Sequence, residues 1–168
     1  LISYNSRFDK IVWQQQGWPT EEEQMGRDLF FVEQALPTQE HPGCSHCHGS
    51  ALFTENNFFN NGISAVDDLE SFPDKGQGEV TGNIYDNGKF RAPTLRNIAL
   101  TAPYMHDGRF RDVNAILEHY AQNIHKLHEV NSELGIPPIP NLITDYDKEH
   151  FEDFLKTFTD SSVIKNEK

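Results

Sequence analysis

Hydrophobic positions recur at helical spacing in separate stretches of the chain, and the longest gap between them follows neither helix nor strand rules. Pro19 and Thr20 lead into an acidic turn in which Glu23 stands three residues after Thr20, the spacing of a capping box. Met25, Leu29, Val32 and Leu36 then recur at i, i+4, i+7 and i+11, predicting a helix that Pro37 stops. Residues 37–92 are rich in Gly, Asn, Asp and Pro and show little alternation or helical recurrence. A loop of that length is unusual in a compact domain unless something besides side-chain packing organises it. Pro93 to Leu100 reads as a short helix. After Asp112, Val113, Ile116, Leu117, Tyr120 and Ile124 fall on one helical stripe. A last helix starts near Thr144 and turns Phe151, Phe154, Leu155 and Phe158 inward. Asp145, Asp147 and Glu149 in its first turns suit the helix dipole. No repeat of 20–50 residues is visible. The pattern predicts one mostly α domain.

Composition adjusts that picture in a few places. The 168 residues fit one domain of ordinary size. A hydrophobic share of 36% is low, yet 12 Phe, 5 Tyr and 2 Trp can build a core. No apolar run is long enough to span a membrane. The net charge of −12 points away from nucleic acid, whose binding draws most of its affinity from a basic face. The chain opens at Leu1-Ile2-Ser3-Tyr4, as if within an element, and reads as a mature or excised piece.

Both cysteines lie in Cys44-Ser45-His46-Cys47-His48, too few for a disulfide-stapled scaffold. Three-residue spacing on a helical turn puts both sulfurs on one side, where they can add to the two vinyl groups of a haem. His48, next in line, then presents a ring nitrogen to the iron. This is the attachment signature of c-type haem. A half zinc site with His41, His46 or His48 lacks a second Cys pair. A redox disulfide would want a βαβ setting that the helical pattern does not supply. A large apolar ring also explains how residues 37–92 could be organised, since it adds core that the sequence lacks.

For the sixth position on the iron the candidates are Met105, His106, His119, Tyr120, His125 and His128. Met is the common partner of His in electron-carrying cytochromes, which favours Met105, with core packing as its plainer role. Tyr120 faces inward, where a core ring with a hydrogen-bonded hydroxyl is the ordinary role. His119, His125 and His128 sit in a polar stretch and read as solvated. Composition leaves the ligand open. The acidic loop of Asp67, Asp68, Glu70, Asp74 and Glu79 has no Asp-x-Asp-x-Asp-Gly register and reads as solvated surface.

The segments "GCSHCHGSALFTENNFFNNGI", "KFRAPTLRNIALTAPYMHDGRFRDVNAILEHY" and "LITDYDKEHFEDFLKTFTD" resemble the C-terminal haem domain of the bacterial dihaem cytochrome c peroxidase and MauG-like family. The opening "LISYNSRFDK" resembles the linker and helix that lead into it. The resemblance implies an all-α, cytochrome c-like helical domain whose long loops wrap a covalent haem. Residues 1–19 would be the lead-in and 20–168 the haem domain, the C-terminal half of a longer dihaem protein in the periplasm. Peroxide would be reduced at the other haem, in an N-terminal domain outside this sequence. The haem here would relay electrons from a small cytochrome or cupredoxin. Cys44 and Cys47 would be the thioether anchors and His48 the proximal ligand.

Fourteen residues beyond His106 the peroxidases carry a Met ligand, whereas the MauG-like branch carries a Tyr; this sequence has Tyr120. That implies Tyr120 as distal ligand, with Met105 second, and a lower potential than Met would give, because a phenolate favours ferric iron. The family also implies backbone-carbonyl ligands to calcium at Thr101 and Pro103. Arg96 is expected to pair with a haem propionate, since a guanidinium meets a carboxylate bidentately; its plainer role is an ordinary surface Arg. Other functions left open are a MauG-like oxidase acting on a partner protein, a plain monohaem electron-transfer cytochrome, and a zinc-binding structural module.

Overall fold

Three helices begin on the same local device. Ser6, Thr20 and Thr144 each accept the N–H of the residue three positions on, and Asp9, Glu23 and Asp147 reach back to the capping residue's own N–H. Each pair satisfies two backbone donors that a helix start leaves without partners. The computed structural model describes residues 3–31, 44–122, 124 and 143–164. Within them lie α1 (Arg7–Val12), α2 (Glu21–Phe30), α3 (Cys44–Cys47), β1 (Phe58–Phe59), α4 (Gln77–Thr81), β2 (Phe90–Arg91), α5 (Val113–Gln122), α6 (Asp145–Lys156) and α7 (Ser161–Ile164).

The predicted helix after Thr20 is α2. It closes at Phe31, so Val32, Leu36 and Pro37 fall outside the described residues. The stripe after Asp112 is α5, with Ile124 just past its end. Helix α6 starts after Thr144 as predicted and buries Phe151, Phe154 and Leu155, while Phe158 is fully buried one turn further on. Packing of α2 along α6 forms the centre of the fold, and Gly26 makes it possible. A Cβ on Gly26 would stand 2.0 Å from the carbonyl oxygen of His150 and 2.7 Å from Cβ of Phe154, so no larger residue fits that crossing.

Around this crossing the rings of Phe8, Phe30, Phe53, Phe154 and Phe158 interlock, mostly edge to face, with Phe53 stacked on Phe158 at 3.8 Å. Val113, Leu117 and Ala121 of α5 close the same core. Edge-to-face rings place positive ring edges on negative faces, which adds to the gain from burying their area.

Residues 3–12, expected as a lead-in, are built into this unit. Phe8 donates its N–H to the Thr157 carbonyl at 2.9 Å, and the Asp160 carboxylate accepts from the N–H groups of Tyr4 and Asn5 at 3.2 and 3.0 Å.

Two local expectations are corrected. Residues 93–100 are not a helix, apart from a 3₁₀ turn at Ile98–Leu100. Asn97 sits in the left-handed region (φ 62°), its N–H on Phe158 and its side-chain oxygen on the N–H of Asp160, so tertiary partners replace helical ones. The segment expected to be irregular before residue 92 contains α4, a 3₁₀ turn at Ile84–Asp86 and an antiparallel pair, with Phe58 opposite Arg91 and Phe59 opposite Phe90. Leu69 and Phe72 form a small second core there, tied by the Asn87 amide to the Leu69 carbonyl at 2.8 Å. No helix among the described residues is long and apolar enough to cross a membrane.

Candidate functional site

Helix α3 is a single turn holding Cys44 and Cys47, and His48 extends it by donating its N–H to the Cys44 carbonyl at 3.0 Å. Neither cysteine is in a disulfide and both are half-buried. Burial, with Cys47 beside it, pushes the Cys44 thiol up to about 12, so it stays protonated near neutral pH.

The His48 ring is fixed from one side. Nδ1 lies 3.1 Å from the Pro93 carbonyl and 3.3 Å from the Phe53 carbonyl. Carbonyls only accept, so Nδ1 carries the hydrogen and Nε2 keeps its lone pair. Burial also holds the ring below the usual histidine range and keeps it neutral. A neutral imidazole with one nitrogen anchored on backbone is the arrangement that presents the other nitrogen to a metal.

Across from this turn, α5 supplies Tyr120. Its phenol is held above its usual value, first by burial and then by the nearby sulfurs of Cys47 and Cys44. A hydrogen bond from the Asn61 side chain works the other way. The same Asn61 amide donates to the Met105 sulfur at 3.2 Å. The structure therefore brings Tyr120 and Met105 to one amide. His106 is exposed and stacks on Phe90, 3.7 Å between ring centres.

His119, expected as solvated, is corrected. It is buried, with Nε2 2.9 Å from the Asn61 carbonyl, because it lies on the inward side of α5 beneath the 60–63 turn. His41, His125 and His128 lie outside the described residues.

Arg96, expected as a propionate partner, sits in a buried pair. Its guanidinium is 8% exposed and forms a fork on Asp9, at 2.9 and 2.8 Å, while Nε and Nη2 donate to the Ala51 carbonyl. With four N–H groups committed, Arg96 belongs to a buried structural pair and is not the ordinary surface residue of its plainer role. Thr101 and Pro103 lie on an exposed turn before Tyr104, whose hydroxyl donates to the Ile98 carbonyl at 2.6 Å. Asp67, Asp68, Glu70, Asp74 and Glu79 are all exposed. Asp68 spends its carboxylate on the N–H groups of Glu70 and Ser71, and Asp74 on that of Gly76. Among the described residues no three His, Cys, Asp or Glu side chains cluster as a metal site.

Two cysteine sulfurs on one turn, an imidazole lone pair beside them, and a phenol close enough to feel both sulfurs form a donor set that fits a covalently attached haem. Sequence reasoning passed over Asn61, Asp9 and the anchoring carbonyls of Phe53 and Pro93. Asp9 alone left a local signal, the Ser6-x-x-Asp9 spacing of a capping box.

A family profile described as di-haem cytochrome c peroxidase matches residues 20–161. The chain belongs to that family. Among the family's curated members, the cytochrome c551 peroxidase of Nitrosomonas europaea is 28% identical over 95% of this chain and 40% of its own length. The methylamine utilization protein MauG of Methylorubrum extorquens is 33% identical over 55% of this chain and 25% of its own. Among solved structures of this kind, a MauG-like protein associated with microbial copper homeostasis superimposes with a TM-score of 0.75 at 34% identity, covering 98% of this chain and 51% of that one. The diheme peroxidase BthA of Burkholderia thailandensis shares the fold, with a TM-score of 0.68 at 19% identity. The chain thus spans about half or less of the relatives it matches.

Proposed function

We propose that this chain is a haem-binding electron-transfer domain of a di-haem peroxidase-like oxidoreductase. The observation that carries the reading is the anchored His48 ring, its Nε2 left unprotonated beside the reduced Cys44 and Cys47. Cys44 and Cys47 hold the group by thioethers, His48 is its proximal ligand and Tyr120 its distal one. Bound there, haem supplies one-electron redox chemistry. The chain's own residues do the rest. The Phe53 and Pro93 carbonyls hold the His48 proton on Nδ1, α5 orients Tyr120, and the aromatic core keeps α2 and α6 rigid behind them. Peroxide reduction belongs to the whole protein, with a second haem in a further domain, a small cytochrome or cupredoxin as donor, and a periplasmic setting where thioethers can be formed. Calcium at Thr101 and Pro103 needs oxygens beyond those two carbonyls, because the ion takes six to eight.

A MauG-like oxidation of a partner protein is the second reading. Tyr120 at the distal position and the 34% identity to a MauG-like structure favour it. Protein matured in an export-competent host tests the main reading. Its mass should exceed the polypeptide by one haem, and its reduced-minus-oxidised spectrum should show a sharp α-band. Bare polypeptide mass and no colour would refute it. Tyr120→Met should raise the reduction potential and abolish phenolate-to-iron absorbance; unchanged values would remove Tyr120 from the ligand set.

A further inference from the structure

The side chains able to reach the distal position are unequal in one respect, and a single residue sets the difference. Asn61 follows Asn60, whose side-chain oxygen accepts the N–H of Gly62 at 2.8 Å and tightens the turn. The Asn61 carbonyl meets Nε2 of the buried His119 at 2.9 Å. With its backbone pinned from α5, the Asn61 side chain is aimed at Met105, donating to the sulfur at 3.2 Å. It also stands close enough to the Tyr120 phenol to work against the rise that burial gives it. A primary amide has two N–H groups, enough for one on each neighbour.

We propose that Asn61 is the positioning residue that selects the distal ligand, tying the Met105 thioether into a hydrogen bond and leaving the Tyr120 oxygen to meet the iron. A thioether is a weak acceptor, and its lone pairs serve either a hydrogen bond or a metal. A phenolate oxygen has lone pairs enough for both, so the second N–H supports Tyr120 as a ligand while the first holds Met105 back. His119 adds to the register: its bond to the Asn61 carbonyl joins those of Asn60 and Arg109 in holding the 60–63 turn and the amide over the sulfur.

The inference rests on Tyr120 being the distal ligand, and the test separates the two claims. Haem-loaded wild type, Asn61→Leu, Met105→Leu and the double variant are compared by ferric absorbance, electron paramagnetic resonance and redox titration. Leu removes both N–H groups at similar volume. Losing one neutral hydrogen bond should move the Met-to-Tyr ligand ratio about fivefold. Asn61→Leu is therefore expected to show a new thioether-ligated fraction and a higher mean potential. In the Met105→Leu background that fraction should vanish. Asn61→Asp, which keeps the shape and removes the donors, should shift the ratio in the same direction and serves if Asn61→Leu does not retain haem. The Met105 methyl resonance of reduced wild type gives a reading that needs no variant. Off the iron it stays in the ordinary methionine range, as expected here; a strong upfield ring-current shift would mean that Asn61 does not hold Met105 back.

Wild-type spectra without phenolate character would defeat the ligand reading itself. Phenolate character in wild type, with Asn61→Leu superimposable on it in spectrum and potential, would defeat only the role of Asn61. So would an Asn61→Leu change that persists undiminished without Met105, because it would then act on Tyr120 or the fold alone.

Discussion

The phenylalanine cluster under α2 and α6 and the polar set around His48 are held in place by different means. In the cluster each ring touches several others. Phe30 alone meets Phe31, Phe53, Phe154 and Phe158 at centroid distances of 4.9–6.4 Å, so no single contact fixes its position. In the polar set each group hangs on one or two hydrogen bonds: His48 on two carbonyls, Met105 on one amide, and the carbonyl of Asn61 on one imidazole. Packing tolerates small losses because neighbours relax around them, whereas a directed bond is either made or lost. A chain that must hold a bulky group can therefore put its stability in the first region and its chemical choice in the second.

The two regions meet at Phe53, whose ring is buried in the cluster while its carbonyl faces His48. Phe53→Ala is the sharpest way to break the division. Loss of a buried Phe should cost about 3–5 kcal/mol in denaturant unfolding. It should also blur the proximal ligand, seen as a broadened ferric spectrum in the haem-loaded protein. A large stability loss with an unchanged spectrum would mean that Pro93 alone suffices to hold His48.

Arg96 and Asp9 form a buried ion pair that joins residues 3–12 to the segment after β2. Both side chains are less than a tenth exposed. Removing one partner of such a pair leaves a buried charge, and Arg96→Met should cost about 3–5 kcal/mol near neutral pH. Burial works to raise the Asp9 pKa, but the bonds from Arg96 and Ser6 outweigh it and hold the carboxyl below its usual range. A depressed carboxyl contributes stability that is fully present above the unfolded value of about 4 and is lost as pH falls through the folded one. Wild type should therefore weaken in acid, while the deficit of Arg96→Met relative to it shrinks as pH falls through the depressed Asp9 value, below which Asp9 is neutral in both. A deficit independent of pH would assign the loss to the guanidinium's place over the Phe53 ring, 5.7 Å from the ring centre, instead.

Gly26→Ala probes the cluster without touching the polar set. The added methyl would overlap the backbone of His150, and overpacking of this kind costs about 1–3 kcal/mol. Ligand spectra should stay as in wild type. A spectral change here would show that the α2–α6 crossing angle reaches the ligands.

What the sequence made legible follows the range of the forces involved. The cap at Thr20, the helix start near Thr144, the stripe of α5 and the inward Phe residues of α6 depend on neighbours within a few positions, and each is present. The Cys44–His48 turn was legible for the same reason. The pairing of Arg96 with Asp9 was not legible because the two lie 87 positions apart. His119 was misread because the turn above it lies 58 positions away, so the polar sequence around it gave no hint of burial. The helix expected over 93–100 failed to a competing long-range bond at Asn97. Tyr120 was recognisable as inward-facing from its stripe, but its approach to Asn61 and the Cys pair could come only from the folded chain.

The smallest effect tests whether local devices matter once packing is complete. Thr144 accepts the Asp147 N–H at 3.2 Å, and Asp147 returns a bond to the Thr144 N–H at 2.8 Å. Thr144→Ala removes the first, together with the hydroxyl's own bond to the Asp147 carboxylate, and should cost about 1 kcal/mol in denaturant unfolding. Because α6 carries Phe151 and Phe154 into the cluster, fraying of its first turn should stop at the first buried ring, leaving ligand spectra and potential unchanged. The equivalent Thr20→Ala at α2 should cost a similar amount, and since the two caps share no partner, the double variant should show the sum. A larger loss in the double would mean that α2 and α6 stabilise each other's first turns through the Gly26 crossing, extending the redundancy of the cluster to the helix ends.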